Sequence, residues 1–149
     1  MDIKIEKART NDFKVIHALI CEFSDFQNSR NRVSVTIEMM MEQKDFFNCY
    51  VAMNSHREII GYTSYSIIYY SWVGKSLYLD DLYVRPSFRG RGIGKKLMNT
   101  VFDIAKKEKC NRVRWQVSKW NSEAIKFYKK IGARIDDTEL NCDLIISGS

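Results

Sequence analysis

The chain is short of the residues that staple and punctuate a fold. Among its 149 residues there is one proline, Pro86, and there are seven glycines. Two histidines, His17 and His56, and four cysteines, Cys21, Cys49, Cys110 and Cys142, are all that could furnish the imidazole and thiolate ligands of a zinc site. The cysteines are widely spaced and form no Cys-x-x-Cys pair. Neither a disulfide framework nor a zinc site is expected, and the cysteines read as four buried, reduced thiols of a cytosolic protein. No apolar run is long enough to span a membrane, and the opening Met1-Asp2-Ile3-Lys4 has no signal-peptide pattern. No membrane partner is expected, and the expected location is cytoplasmic. There is no internal repeat, linker or low-complexity stretch. What remains is an ordinary folding composition, 45% hydrophobic and 28% charged, which predicts one domain over residues 1–149 with one good core.

Charge is unevenly placed. The net charge is +6, but residues 85–114 hold ten Lys and Arg against Asp103 and Glu108, leaving the rest of the chain slightly acidic. Such a patch suits a polyanion, either nucleic acid or a small molecule carrying phosphates. Lys106, Lys107 and Lys109 are accounted for by a solvated helix face.

Hydrophobic periodicity predicts the order β-α-α-β-β-β-α-β-α-β-β, a mixed α/β sheet with helices on both faces. Ile3 and Ile5 mark a first strand. Thr10-Asn11-Asp12 starts a helix whose apolar face is Val15, Ile16, Leu19, Ile20 and Phe23. Ser24–Val33 reads as a loop or frayed helix end. Ser34 is placed to cap a second helix carrying Val35, Met39 and Met40, in which the methionine run is core filler. Phe46–Met53 and Ile59–Trp72 form a hairpin about the turn 54–58, where His56 is solvated. A second turn at 71–75 leads into a strand over Leu77–Val84. A long helix follows, then a strand over Val113–Val117. Next come a helix over Asn121–Ile131 stopped by Gly132, a strand over Ala133–Ile135 and a last strand near Cys142–Ile146.

The stretch Leu79–Gly94 organises this order. It runs from an apolar strand through Pro86 into a glycine-rich basic loop, and then into a helix with Ile93, Leu97, Val101, Ile104 and Ala105 on one face. Strand, glycine loop and helix is an arrangement that binds phosphate. Unpaired N–H groups at a helix start, together with the helix dipole, favour an anion there. Glycine permits φ > 0 and close approach, and Arg89 and Arg91 add charge. The spacing excludes a P-loop, because a glycine is required where Arg89 stands and a hydroxyl where Lys96 stands. It also excludes the dinucleotide fingerprint, because in Gly90-x-Gly92-x-Gly94 the third glycine comes one residue early.

What fits is Arg-x-x-Gly-x-Gly over Arg89–Gly94, which resembles the acetyl-CoA pyrophosphate loop of the GNAT superfamily of N-acetyltransferases. Two further blocks tighten the resemblance. Trp72-Val73-Gly74-Lys75-Ser76-Leu77-Tyr78-Leu79-Asp80-Asp81-Leu82-Tyr83-Val84 resembles the Trp-x-Gly-Lys-x-x-Tyr-Leu-Glu-Asp-x-x-Val segment of the diamine (spermidine/spermine) N-acetyltransferases. Trp120-Asn121, followed by Ala124-Ile125-Lys126-Phe127-Tyr128-Lys129-Lys130-Ile131-Gly132-Ala133, is similar to that family's Trp-Asn…Ile-x-Phe-Tyr-x-x-x-Gly-Ala segment. The resemblance covers residues 58–145 well and the N-terminal third in outline.

It implies the GNAT fold, with a mostly antiparallel central sheet of about seven strands. It also implies acetyl transfer from acetyl-CoA, as cosubstrate, to a primary amine of a polyamine-like or diamine-like molecule, without a metal and in a homodimer. Leu82, Tyr83, Val84, Arg89, Gly90, Arg91, Gly92, Ile93, Gly94, Lys95, Asn121 and Tyr128 are implied to hold acetyl-CoA. A strand bulge near Asp80 and Asp81 would let a backbone N–H at Leu82 or Tyr83 polarise the thioester carbonyl.

The reaction itself sets the remaining requirements. A free alkylammonium has a pKa of about 10.4 and must lose a proton, and the departing thiolate must gain one. By resemblance, Tyr128 is the acid that protonates the thiolate. Asp80 stands where the family has glutamate as general base, one methylene shorter, which favours a water relay. Asp81, together with Asp80, binds the cationic substrate, and Trp72 and residues 24–32 line the amine site. On position alone, Tyr128 reads as a core tyrosine and the two acids as charges guarding a strand edge. Three other functions stay open: acetylation of a thialysine-like amino acid, acetylation of a protein lysine or N-terminus, and a non-catalytic module binding acetyl-CoA or nucleic acid. Nucleic acid is the poorer partner, because the basic residues cluster on the very loop and helix that coenzyme A would occupy.

Overall fold

The computed structural model describes residues 2–29 and 32–146. The chain divides into two compact units, residues 1–115 and 116–149.

The first unit is a five-stranded sheet in the order β1-β2-β3-β4-β5. The strands are β1 (Lys4–Lys7), β2 (Asn48–Met53), β3 (Ile59–Tyr70), β4 (Gly74–Val84) and β5 (Arg112–Arg114). The first four pair antiparallel, and β5 joins β4 in parallel. The predicted hairpin is present. Asn54 accepts from the backbone N–H groups of His56 and Glu58 through its side-chain oxygen, which closes the turn.

Helices cover both faces. α1 (Phe13–Phe26) and α2 (Ile37–Glu42) lie on one. There Phe13, Ile16, Leu19 and Met40 pack with Cys49, Val51, Tyr62 and Tyr83. α3 (Ile93–Lys107) covers the other, where Ile93 and Leu97 pack with Ala52, Ile60 and Val84. Strand alternation explains the split, since Val51 and Ala52 necessarily face opposite sides. The α2 cap is Thr36, not Ser34: the Thr36 hydroxyl accepts from the Met39 N–H at 3.1 Å. Val35 and Met40 belong to the same core cluster, a hydrophobic staple that fixes the start of the helix two residues later than expected.

In the second unit, α4 (Ser122–Lys130) is capped at both ends. The Asn121 side-chain oxygen accepts from the Ala124 N–H. At the other end Ala133 N–H donates to Tyr128 O and Gly132 N–H to Lys129 O, with Gly132 at φ 97. This is the two-bond glycine stop expected of a helix end.

Two expectations are corrected. The sheet has five strands among the described residues, not about seven. Ala133–Ile135 and Cys142–Ile146 have the apolar and β-branched residues of strands but make no ladder there, and Leu144, Ile145 and Ile146 stand exposed. Suitable side chains do not supply a hydrogen-bonding neighbour, and without one there is no strand. Of the cysteines only Cys49 is buried, while Cys142 is exposed. α1 extends to Phe26, so of the two readings of Ser24–Val33, loop or frayed helix end, the helical one holds for its first three residues.

Gly61 sets how closely β3 and β4 approach. A Cβ there would stand 2.8 Å from the backbone oxygen of Tyr83. Gly61→Ala must push the two central strands apart, and it is expected to cost about 1–3 kcal/mol. Urea unfolding of the variant measures this, and an unchanged midpoint would show that the pair yields freely.

Candidate active site

The site begins with a fault in β4. Asp81 pairs with Ser64, but Leu79, two residues earlier, pairs with Tyr65, the very next residue of β3. Asp80 is therefore an extra residue, and the strand is bulged where the resemblance places a bulge.

Beyond the bulge the strand has an open edge. β5 pairs only with Ser76–Tyr78, so among the described residues no strand pairs on that side of Leu79–Val84. The ladder to β3 tells which groups face the opening. Arg85 N–H donates to Ile60 O, and antiparallel alternation then gives Tyr83 and Asp81 to β3. The N–H and C=O groups of Leu82 and Val84 point to the open edge. Tyr83, equally expected to offer its N–H, spends it within the sheet. Its ring is buried and stacks on Phe23 with centroids 5.1 Å apart.

The glycine loop follows. Gly90 and Gly92 both have positive φ, 78° and 79°, and Gly92 is the residue before α3. Gly92 has no side chain to cap the helix, and the first helical bond runs from Lys96 N–H to Gly92 O. The N–H groups of Ile93, Gly94 and Lys95 thus have no acceptor within the helix. Arg91 and Lys95 stand exposed around them, and the Arg91 guanidinium lies 5.7 Å from the Phe88 ring.

Arg89 is more constrained than its sequence position suggested. Its Nε donates to Val84 O at 2.8 Å, and the guanidinium lies over the Phe26 ring at 4.7 Å and the Tyr83 ring at 5.4 Å. It ties the loop to β4 and to the end of α1. Arg85 makes a second tie, with its Nε 3.5 Å from Glu22 Oε2.

On the α1 side of β4 there is a cavity of about 170 Å³. Ile20, Phe23 and Val33 give it an apolar wall, and Ser24, Gln27 and Ser29 add polar groups. Among the described residues its charged lining is Asp81 and Arg32. Asp81 is half-buried and held twice. The Tyr62 hydroxyl donates to its Oδ2 at 2.7 Å, and the Thr63 hydroxyl donates to its backbone oxygen at 2.8 Å. Burial, with Asp80 adding like-charge repulsion, pushes the Asp81 pKa up to about 6 against the pull of the Tyr62 hydrogen bond. The same burial and the same carboxylate hold the Tyr62 phenol well above its ordinary value. Asp80 is exposed, yet partial loss of water raises its pKa too.

Asp81 and the 24–32 segment are therefore brought together as expected, although Arg30 and Asn31 lie outside the described residues. Trp72 is not brought to them. It is 97% exposed at the β3–β4 turn. From Gly74 to Asp81 the strand rises roughly 23 Å at about 3.3 Å per residue, so the turn is remote from the cavity. In the second unit, Tyr128 is half-buried within α4, and burial raises its phenol pKa. Tyr62 and Thr63 were missed from sequence. They read as core strand residues, and only the register of β3 on β4 brings them to Asp81.

The comparisons agree with this geometry. The acetyltransferase (GNAT) family matches residues 13–133. The thialysine N-epsilon-acetyltransferase of Mus musculus is 32% identical over 88% of this chain and 84% of that protein. The spermidine/spermine N(1)-acetyltransferase-like protein 1 of Homo sapiens is 29% identical over 87% of this chain and 20% of that protein. Among solved structures, an aminoglycoside acetyltransferase from an uncultured soil metagenomic sample superposes with a TM-score of 0.78, covering 97% of each chain at 21% identity, a likeness of fold. An open β4 edge beside an uncapped helix start, in a chain matched to this extent, leaves one conclusion: the chain belongs to the GNAT acetyltransferase family.

Proposed function

We propose that the protein transfers an acetyl group from acetyl-CoA to the terminal primary amine of a small aliphatic molecule by direct attack. The observation that carries this reading is the pairing of two features. One is the open edge of β4 at Leu82 and Val84; the other is the acid-lined bulge at Asp80 and Asp81. An exposed strand edge is a template for an amide-bearing chain, and the pantetheine arm is such a chain. The uncapped N–H groups of Ile93, Gly94 and Lys95 suit its pyrophosphate, with Arg91 beside them. Acetyl-CoA supplies the activated thioester.

The chain's own residues do the rest. The Leu82 N–H is free to hydrogen-bond a carbonyl oxygen as it gains charge. Asp81 holds the cationic substrate in the cavity, and Asp80, exposed beside it, takes the amine proton through water. Tyr128 returns a proton to the thiolate. Its raised pKa keeps the phenol protonated at neutral pH, and the double cap of α4 fixes its backbone. Asn121 is occupied as the helix cap, which leaves its amide nitrogen to bind the pantetheine arm.

The sequence blocks point first to polyamines as substrates, and the relatives named for thialysine widen the class to amino acids with a side-chain amine. Turnover of acetyl-CoA against a panel of polyamines, diamines, side-chain amino acids and peptides tests the reading. No turnover with any small amine, or turnover with peptide alone, overturns it. The cofactor loop is tested through Gly92, because altering Arg89 would also cut its bond to Val84. Space around Gly92 is open, so Gly92→Glu is expected to fold despite its positive φ. It places a carboxylate against the pyrophosphate site and is expected to weaken acetyl-CoA at least about tenfold, read by calorimetry. Unchanged affinity in the folded variant would move the cofactor site elsewhere.

A further inference from the structure

We propose that Arg32 selects the substrate by pairing with a carboxylate at the end remote from the reacting amine, so that the cavity takes an amino acid with a side-chain amine in preference to a polyamine. This rests on the reading that the site acetylates small amines, and it names which of them.

The argument is one of charge layout. Among the described residues the cavity beside β4 is lined by two charged groups, Asp81 and Arg32, and they are of opposite sign. Asp81 is half-buried and held by Tyr62, whereas Arg32 is exposed. A ligand therefore meets a carboxylate inside and a guanidinium at the mouth. The backbone at Arg32 is held, with its N–H donating to Ser29 O at 2.9 Å. Among the described residues its side chain makes no ion pair that would occupy it. A guanidinium without a carboxylate partner is a planar fork of donors suited to a carboxylate on a ligand.

The two substrate classes meet this layout differently. A polyamine carries ammonium groups at both ends, so the cation that Asp81 attracts would be followed by one that Arg32 repels. An amino acid with a side-chain amine carries a carboxylate at the far end, so Asp81 answers its side-chain ammonium and Arg32 its carboxylate, which leaves only the α-ammonium. Ser24, Gln27 and Ser29, which line the same cavity, can accept from or donate to an α-amino group whatever its charge.

L-Lysine and cadaverine separate the classes, because they differ only by that carboxylate. Initial rates of acetyl-CoA turnover are measured with both, and with thialysine and spermidine, for the wild type and for Arg32→Glu, Arg32→Gln and Arg32→Lys. The wild type is expected to favour lysine or thialysine over cadaverine by at least about tenfold in kcat/KM, carried by KM. Arg32→Glu is expected to raise KM for the amino acids roughly ten- to a hundredfold and to lower it for cadaverine and spermidine, with kcat changed only a few-fold. Arg32→Gln should abolish the preference without reversing it, and Arg32→Lys should keep part of it. If the wild type uses cadaverine as well as lysine, or if Arg32→Glu moves both alike, the role of Arg32 is overturned while acetyl transfer to amines stands. If no small amine is turned over, the proposed function fails. Calorimetry of lysine against the wild type and Arg32→Glu then decides Arg32 separately, and equal or absent binding overturns its role.

Discussion

Tyr128→Phe is expected to lower kcat by roughly 10²- to 10⁴-fold, the range of a lost general acid. It removes one hydroxyl and almost no volume from a helix whose two ends are fixed by Asn121 and by the Gly132 stop. Thermal stability and the affinity for acetyl-CoA should therefore change little. The chemistry explains the size of the effect. A thiolate leaving without a proton is a strong base relative to the amide being formed, and water is a poor donor at neutral pH. Burial raises the Tyr128 pKa from its ordinary value of 10.0, so the wild-type phenol remains a donor throughout the neutral range. Single-turnover kinetics with saturating amine measure the loss directly. A near-normal rate would make Tyr128 a packing residue, which is how its position alone reads.

Asp81→Asn is expected to act in opposite directions on stability and on binding. A carboxyl whose folded pKa lies above its unfolded value binds its proton more tightly when folded. Its contribution to stability is therefore lost as pH rises from about 3.8 to about 6. Above that window the ionised group is a net cost that the folded state carries. A shift of about two pKa units would be close to 3 kcal/mol if the site were dry. For a half-buried group, a gain of about 1–3 kcal/mol in the asparagine variant at neutral pH is expected. That is several degrees in Tm for a domain of this size, and it should vanish below about pH 4. Tyr62 keeps its acceptor, because the asparagine oxygen can replace Oδ2. At the same time KM for a cationic amine should rise roughly ten- to a hundredfold. In the wild type KM should climb as pH falls through about 6, where Asp81 takes up its proton. A variant that is less stable at neutral pH, or whose KM is unaltered, would show Asp81 to be only a partner for Tyr62.

Much of this was legible in the residues, and the exceptions have physical causes. The glycine loop, the long amphipathic helix behind it and the hairpin about Asn54 follow from local chemistry, and local chemistry is what sequence patterns encode. The Gly132 stop of α4 was visible for the same reason. The bulge at Asp80 came only through the resemblance, since nothing in Leu79-Asp80-Asp81 announces an extra residue. The partnership of Tyr62 with Asp81 depends on the register of two strands, a non-local property. Trp72 was placed at the amine site by its neighbourhood in a sequence block, but a strand carries its end far from its middle. The expected strands after Gly132 had the apolar residues of strands and lacked a neighbour. Arg32 fell within the segment expected to line the amine site, but its charge was given no role there, because the path of the connection after α1 is fixed by no pattern.

The parting of β4 from β5 has a consequence for how the free protein meets solvent. Along Leu82–Arg85 the amides alternate, with Tyr83 and Arg85 turned toward β3 and Leu82 and Val84 toward the opening. Neighbouring amides of one strand should therefore exchange their hydrogens with water at very different rates, in a period of two. A bound pantetheine chain would slow alternate amides only, leaving the others as internal standards. The strand thus carries its own occupancy gauge, readable one amide at a time.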